Sequence, residues 1–288
     1  MVLFIAGAII FLNLAAKVTL LPEKIKLPAT CIRFCWLFWQ QIKALIKFNA
    51  FFMTSPKLLI PFSVFFAILT AACIVLELNH IYEVAYVVKP LLMISLALWY
   101  WYNMPKPLGS ISRLILVALF FSMCGDVFLM ITPRPHNFFL YGLLSFLLAH
   151  ITYIVIYRTG SPPVTRGILR QQWWWALLLF GFGAGLVAFL APHLSHMLLP
   201  VTVYATVLVF MALFAINRYG SVSGHSFTRV VAGALIFMLS DSMIAINAFY
   251  QPIPLARLWI LTTYCLAQWL IVWGLMEHHR LPQGSALL

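Results

Sequence analysis

The sequence is short of acidic and, more generally, of charged side chains. Its 288 residues include 6 Asp and Glu against 18 Lys and Arg, and charged residues make up 8% of the chain, whereas hydrophobic residues make up 64%. A soluble domain carries about 25% charged residues, so a water-soluble globular fold is excluded. The mean hydropathy of +1.01 instead indicates an integral membrane protein.

Several catalytic and metal-binding motifs are also missing. The sequence contains no G-x-S-x-G, no H-E-x-x-H and no Walker motif. Cys31 and Cys35 lack the C-x-x-C spacing of a redox or zinc site. Only His150 lies well inside an apolar run, whereas zinc hydrolases usually bind the metal through two or three nitrogen ligands. We therefore predict no metal and no cofactor.

The net charge of +12 does not indicate a nucleic-acid partner, because Lys and Arg are scattered over short loops without a basic stripe among aromatics. Their distribution indicates orientation instead. Basic residues collect before the first long apolar run and in every second loop, while the intervening loops hold only Arg134 and Arg257. The positive-inside rule then places both ends of the helical unit in the cytoplasm. We expect a bacterial inner membrane, with an endoplasmic reticulum membrane as the alternative.

Long apolar runs predict an all-α, polytopic bundle of eight transmembrane helices. Each run has about 18–23 residues, which is enough to cross a hydrocarbon core of about 30 Å. The predicted helices cover residues 58–78, 82–102, 112–131, 137–158, 172–191, 197–216, 228–250 and 257–276. Pro, Gly or Asn residues in several of the connections favour loops there. This membrane domain extends over residues 55–280, and a tail follows at 281–288.

Residues 1–54 form an extension before the eight helices. Its apolar stretch is interrupted by Lys17 and has no basic residue ahead of it, unlike a secretory signal. Residues 31–52 combine Trp and Lys with apolar residues, which is typical of a basic segment lying on the inner membrane surface. The extension is therefore either a ninth span or an interfacial helix, and we assign it no chemistry.

Few polar side chains lie within the predicted helices. We single out Lys89, Asp126, His150, Tyr153, Asp241, Tyr264 and Gln268. An ionisable group at the bilayer centre costs at least about 2.5–3.5 kcal/mol and therefore tends to line a cavity and to have a partner. These residues are the candidate site, although a buried ion pair of Asp126 with Lys89 would be a purely structural alternative.

Helix geometry places the candidate residues at similar depths. At 1.5 Å per residue, Asp126 and Asp241 lie about 20 Å from the cytoplasmic starts of their helices, and Lys89 and Tyr264 about 10 Å below the outer edge. His150 and Gln268 lie a turn or two deeper. Small residues share the faces of the key polar groups: Gly142, Ser145, Ala149 and Tyr153 on helix four, and Gly233, Phe237, Asp241 and Ala245 on helix seven. Such stripes direct Asp241 towards the bundle interior.

A faint internal similarity relates the two halves of the predicted bundle. RLILVALFFSMCGDVFLM in helix three resembles RVVAGALIFMLSDSMIA in helix seven, and LLAHITY in helix four is matched by CLAQWLI in helix eight. The similarity either reflects a 4+4 repeat about an axis along the membrane normal or is chance resemblance between apolar helices.

Two carboxyl groups in a sheltered cavity provide acid and base. Close carboxyls in a low dielectric split their proton affinities, so that one stays neutral and donates a proton while the other is ionised and orients water. Lys89 would either stabilise the ionised carboxylate or bind a phosphate. This arrangement favours hydrolysis of a lipid-like substrate within the membrane.

The polar motifs resemble those of a known family. VVKPLL at 87–92, CGDVFL at 124–129, GLLSFLLAHITY at 142–153, GALIFMLSDSMIA at 233–245 and YCLAQWLI at 264–271 are similar, in the same order, to motifs of the YhhN-type lysoplasmalogenases. The resemblance implies an eight-helix membrane hydrolase that cleaves the vinyl ether bond of lysoplasmalogens. The implied products are a fatty aldehyde and glycerophosphoethanolamine or glycerophosphocholine.

The resemblance also implies roles and partners. Asp126 and Asp241 would be catalytic, one as the acid and the other as the group that stabilises the cation and activates water. Lys89 and His150 would bind phosphate or tune the carboxyls, and Tyr153, Tyr264 and Gln268 occupy the remaining motif positions. The implied ligands are a lysophospholipid substrate and membrane lipids, and the sequence indicates no protein partner.

Other classes of protein remain open from the sequence alone. A transporter or proton-coupled carrier would also use repeats and carboxylates at membrane depth, although helices broken at that depth are not evident apart from Pro90 and Pro200. A different lipid hydrolase, cleaving an amide or an ester, is a second alternative. A purely structural protein would leave the two Asp residues without a task.

Overall fold

The computed structural model describes residues 59–131, 136–160 and 168–280. The predicted extension at 1–54 and the tail at 281–288 lie outside these residues. The chain divides into two compact units, one ending at Asn103 and the other beginning at Met104.

Eight long helices make up most of the described residues. They are α1 (Leu59–Leu78), α2 (Tyr82–Asn103), α3 (Ser110–Met130), α4 (His136–Thr159), α5 (Trp174–Leu194), α6 (Leu198–Ile216), α7 (Gly224–Phe249) and α8 (Ala256–Arg280). One helical turn, Ile168–Gln171, precedes α5. The predicted helices agree with these bounds to within about four residues, and the all-α class is confirmed.

Seven apolar segments of the described chain are long enough to cross a membrane. One of them, Trp174–Ile216, has 43 residues and contains both α5 and α6. A single crossing needs only about 20 residues, so this segment is long enough to cross the membrane twice. A short 3-10 turn, Ser195–Met197, separates the two helices, and Ser195 has a positive φ of 45°, which interrupts the helical path. The protein is therefore a multi-pass membrane protein.

The N-terminal unit contains the hairpin of α1 and α2. The rings of Phe62 and Trp99 stack across it with centroids 4.6 Å apart. An ion pair adds a polar contact, with Lys89 Nζ 3.1 Å from Glu77 Oε1. These contacts join two short-looped helices, as expected for antiparallel neighbours.

The C-terminal unit contains a ring of five helices. α3 packs against α4, α4 against α6, α6 against α7, and α7 against α8. Hydrogen bonds from α8 to Asp126 and Ser122 of α3 complete the ring. α5 packs against α6 and α7 and buries few residues, so it lies at the periphery. The α3–α4, α5–α6 and α7–α8 connections share one end of this unit, which we call the outer end because the charge pattern predicts it to face away from the cytoplasm.

Glycine permits the close approach of α7 and α8. A Cβ atom on Gly233 would lie 2.9 Å from the carbonyl oxygen of Ala267 and 3.1 Å from the amide nitrogen of Ile271. Both neighbours are backbone atoms, so they cannot move aside by changing rotamer. The small-residue stripe predicted on this helix therefore serves helix packing.

We predict that Gly233→Ala lowers the free energy of unfolding, whereas Gly185→Ala on α5, where a Cβ atom meets nothing within 4 Å, maintains or raises it. Alanine is favoured over glycine in a helix by about 1 kcal/mol, but overpacking at position 233 costs about 1–3 kcal/mol. Thermal unfolding of both variants in the same detergent measures the difference. A Gly233→Ala variant as stable as Gly185→Ala would contradict the predicted close packing.

Candidate active site

Asp126 and Tyr264 form the first polar cluster. The Tyr264 hydroxyl of α8 donates a hydrogen bond of 2.7 Å to Asp126 Oδ2 of α3. Both side chains are buried, with exposed fractions of 5% for Asp126 and 4% for Tyr264. A hydroxyl donor to a carboxylate offsets part of the cost of its burial. The contact places the C-G-D motif of α3 directly against α8.

Asp241 belongs to a second cluster with two partners from other helices. The Tyr204 hydroxyl of α6 donates to Asp241 Oδ2 at 2.5 Å. His150 Nε2 of α4 lies 3.2 Å from the same oxygen and 2.9 Å from the Tyr204 hydroxyl. His150 is fully buried, and its Nδ1 atom has no hydrogen-bond partner among the described residues. Three helices therefore converge on one carboxylate oxygen.

An aromatic wall lies between members of the two clusters. The ring of Phe237 is 4.8 Å from the His150 ring and 5.5 Å from the Tyr264 ring, centroid to centroid. Phe146 adds a second ring, 5.9 Å from that of Tyr264. These apolar neighbours keep the local dielectric low, which strengthens the polar contacts on each side. That the two carboxylates share a ligand remains a prediction.

A third polar cluster lies one helical turn from Asp126 and Tyr264, on the side away from the outer end. The Tyr153 hydroxyl donates to Gln268 Oε1 at 2.7 Å, and Gln268 Nε2 donates to Ser122 Oγ at 2.9 Å. Because Ser122 precedes Asp126 by four residues and Gln268 follows Tyr264 by four, each pair shares a helix face. Gln268 thus has both its oxygen and its nitrogen satisfied inside the bundle.

A ring stack and a cation–π contact extend from there towards the opposite, inner end of the unit. The ring of Tyr153 stacks on that of Tyr157 at 6.0 Å, and the Arg218 guanidinium lies 5.6 Å from the Tyr157 ring centroid. Arg218 follows α6 and is 2% exposed. Burial lowers the pKa of its guanidinium to about 10. This value is still well above neutral pH, so the guanidinium stays protonated.

Lys89 lies in the N-terminal unit, where its side chain pairs with Glu77. The other six predicted site residues all lie in the C-terminal unit, and every one takes part in a buried hydrogen-bonded cluster. The sequence analysis considered Asp126 as an ion-pair partner of Lys89 and overlooked Glu77. Glu77 and Lys89 both lie near the α1–α2 connection, and this proximity in the sequence could have predicted their ion pair.

Tyr204 and Ser122 are site residues that the sequence analysis missed. Tyr204 is the only tyrosine in the predicted helix 197–216, and a buried phenol usually finds a hydrogen-bond partner. That rule would have singled it out. Ser122 gave a weaker signal, because serine in an apolar helix commonly bonds to its own backbone.

A pocket opens beside the second cluster. Its volume, including its open mouth, is about 410 Å³. It is lined by Leu129, Phe139, Leu143, Phe146, Val201, Tyr204, Asp241, Ile244, Ala245 and Phe249. Within the described ranges, no group of three or more His, Cys, Asp or Glu residues is placed to hold a metal ion. The site therefore consists of carboxyl, phenol, imidazole and amide groups beside an apolar pocket.

Fold and site together define a multi-pass membrane protein whose helices enclose tyrosine-bound carboxylates. Residues 84–275 match the sequence model of the YhhN family, and the chain belongs to this family. The resemblance noted in the motifs is thereby confirmed.

Several relatives of the chain are named lysoplasmalogenases. Human lysoplasmalogenase TMEM86B is 34% identical over 188 residues, which cover 65% of this chain and 73% of the relative. Human lysoplasmalogenase TMEM86A is 31% identical over 181 residues, covering 59% and 71%. The lysoplasmalogenase of Mycobacterium bovis is 31% identical over 187 residues, covering 62% and 67%. No solved structure matches the chain.

We predict that Tyr153→Phe and Gln268→Leu are energetically coupled. Each single substitution leaves a buried polar partner unsatisfied, whereas the double variant removes both groups. Side-chain hydrogen bonds within membranes contribute about 0.6 kcal/mol on average and up to about 1.7 kcal/mol, so a coupling energy in that range is expected. A double-mutant cycle on unfolding in detergent measures it, with Tyr250→Phe, at an exposed tyrosine, as the control. Strict additivity would show that the contact does not form.

Proposed function

We propose that this chain is a lysoplasmalogenase that hydrolyses the vinyl ether bond of lysoplasmalogens to a fatty aldehyde and glycerophosphoethanolamine or glycerophosphocholine. Its family membership and the names of its relatives support this activity. The observation that carries the proposal is the pair of buried carboxyls, Asp126 and Asp241, each accepting a hydrogen bond from a tyrosine of another helix. Ionisable groups this deep in a membrane protein are a mark of function.

Vinyl ether hydrolysis needs an acid, a base and one water molecule. Protonation of the chain-side alkene carbon uses the π electrons to form a C–H bond and leaves an oxocarbenium ion on the other carbon and the ether oxygen. Water adds to that carbon as a base takes its proton, which gives a hemiacetal. Collapse of the hemiacetal breaks the bond to the glycerol oxygen, releases the aldehyde and returns a proton to glycerol.

Two carboxyls complete this cycle without net change. The acid carboxyl gives its proton to carbon and regains one from the hemiacetal hydroxyl. The base carboxylate takes a proton from water and delivers it to the leaving glycerol oxygen. A carboxylate beside the oxocarbenium ion also stabilises its positive charge in the low-dielectric interior. Atoms and charges balance, with one water consumed for each substrate.

The remaining site residues support this chemistry. Tyr204, Tyr264 and His150 hold the two carboxyls in position through their hydrogen bonds. Lys89, which pairs with Glu77, occupies a motif position, and its role in binding phosphate or in tuning the carboxyls stays a prediction. We propose a bacterial inner membrane as the location. The alternation of basic loops supports an orientation with both ends of the helical unit in the cytoplasm.

We predict that Asp126→Asn and Asp241→Asn each lower aldehyde release from lysoplasmalogen in detergent by at least about 100-fold, the lower end of the usual contribution of a general acid or base. Asparagine keeps the shape of the side chain but cannot transfer the proton. Thr263→Val is the matched control, because Thr263 is half-buried and its hydroxyl bonds to carbonyls of its own helix.

Product analysis by mass spectrometry completes this test. The wild-type protein should consume a vinyl-ether lysolipid and leave its saturated-ether analogue intact. Near-full activity in both Asn variants would eliminate the carboxyl mechanism. Flux of a small solute in proteoliposomes without consumption of lysolipid would identify a carrier instead.

A further inference from the structure

The pocket beside Asp241 extends towards the outer end of the six-helix unit. Leu129, Val201 and Phe249 of its wall lie within one turn of the outer ends of α3, α6 and α7. Tyr204 and Asp241 lie deeper, about 9 Å and 12 Å from the outer ends of their helices at 1.5 Å per residue. The pocket therefore has a deep end, formed by the second cluster, and a shallow end near the outer connections.

The wall of this pocket is apolar except at its deep end. Apart from Tyr204 and Asp241 at the deep end, its lining side chains are aliphatic or aromatic. None of these lining residues carries a positive charge, so the wall offers a phosphate no cationic partner. An apolar wall with a few polar groups at one end is suited to a hydrocarbon chain whose reactive end meets those groups.

The opposite side of the site has the opposite character. Asp126 lies one helical turn above Ser122, which bonds to Gln268 and through it to Tyr153. A ring stack and a cation–π contact then lead through Tyr157 to Arg218, and the Tyr157 hydroxyl is buried without a hydrogen-bond partner among the described residues. Asp241 thus adjoins an apolar pocket, whereas Asp126, which lies about 6 Å from the outer end of α3 at 1.5 Å per residue, adjoins hydrogen-bonded side chains on its inner side.

We propose that the pocket binds the hydrocarbon chain of the lysolipid and that Asp241 is the residue that protonates the alkene. This inference rests on the proposed function. The amphiphilic substrate is oriented by the two-sided interior, with its chain towards the outer end and its glycerophosphate towards the polar contacts below Asp126.

The direction of the reaction fixes the two roles. In a vinyl ether the proton goes to the alkene carbon that bears the hydrocarbon chain, and the oxygen lies on the other side of the double bond. The carboxyl that lines the chain pocket, Asp241, is therefore the acid. Asp126 faces the ether oxygen, accepts the proton of the attacking water and passes it to the glycerol oxygen.

The partners of Asp241 suit this assignment. Proton transfer to carbon leaves a carboxylate, and the Tyr204 hydroxyl and His150 Nε2 both lie within hydrogen-bond distance of its Oδ2 atom. These contacts orient the carboxyl, and the Tyr204 hydroxyl can donate to the carboxylate that remains after the transfer. Tyr204 and His150 are positioning residues for the acid.

Ala245 offers a direct test of the chain pocket. It lines the pocket one turn from Asp241 on α7, so Ala245→Phe fills the pocket beyond the reactive end. Ala248→Phe, on the same helix, is the matched control, because Ala248 is exposed. Val201→Phe narrows the pocket from α6 and provides a second variant if Ala245→Phe does not fold.

Binding is measured with saturated-ether lysophosphocholines of 16 and 8 carbons, using thermal stabilisation of the full chain in detergent. We expect Ala245→Phe to lower the preference for the long chain over the short chain at least ten-fold, and Ala248→Phe to keep the wild-type preference. An unchanged preference in Ala245→Phe and in Val201→Phe would overturn the chain pocket. Because these analogues are not vinyl ethers, a wild-type protein that binds them without hydrolysing lysoplasmalogen would refute only the proposed function.

The acid assignment is tested with azide, an anionic nucleophile that needs no general base. Azide adds to the oxocarbenium carbon in place of water, but it forms no product until the alkene has been protonated. We expect azide to raise vinyl-ether consumption by Asp126→Asn at least ten-fold and to leave Asp241→Asn unchanged. Stimulation of Asp241→Asn, or an equal response of the two variants, would overturn the assignment of Asp241 as the acid.

Discussion

A carboxylate inside a membrane protein must find a partner, and this constraint organises the C-terminal unit. Asp126 and Asp241 each accept a hydrogen bond from a tyrosine on another helix, which joins α3 to α8 and α6 to α7. His150 brings α4 to the second carboxylate. Burying such a charge without these donors would cost several kcal/mol. The same contacts that satisfy the acids therefore complete the helix ring.

The two acids occupy different surroundings although each has a tyrosine donor. Asp241 lies beside the His150 imidazole and an apolar pocket. Asp126 lies one helical turn above the Gln268 amide and the Ser122 hydroxyl, which are hydrogen-bonded to each other. Chemically similar groups acquire different tasks when their environments differ. One environment is apolar and the other polar, as are the two parts of a lysolipid, and this difference relates the architecture to an amphiphilic substrate.

Much of the architecture could be predicted because membrane helices leave a strong signal in apolar run length. Proline, glycine and asparagine residues indicated several of the loops between helices. Polar residues are rare within the predicted helices, and this rarity singled out Asp126, Asp241 and their motif neighbours. The pairing of these residues could not be predicted. Periodicity gives the face and depth of a residue on its own helix, but the order of helices around the ring decides which faces meet.

Tyr204 and His150 illustrate that gap. Tyr204 was overlooked because α6 carries no acidic residue, yet the ring order places it against Asp241. His150 was expected a turn or two deeper than the acids, and its side chain nevertheless reaches Asp241 at 3.2 Å. Backbone depth is a coarse guide where long side chains span a helical turn. Likewise, Lys89 has its ion pair with Glu77 of the neighbouring helix, a pairing that no motif indicated.

The central claim is that a buried carboxyl in this site protonates carbon. Hydrolysis of a lysoplasmalogen in heavy water tests it most directly, because the transferred proton exchanges with solvent before it is bonded to the alkene carbon. If a carboxyl protonates the alkene carbon, the fatty aldehyde, reduced to the alcohol on release and analysed by mass spectrometry, carries one deuterium on the carbon next to the former carbonyl. An aldehyde formed without that deuterium would contradict it.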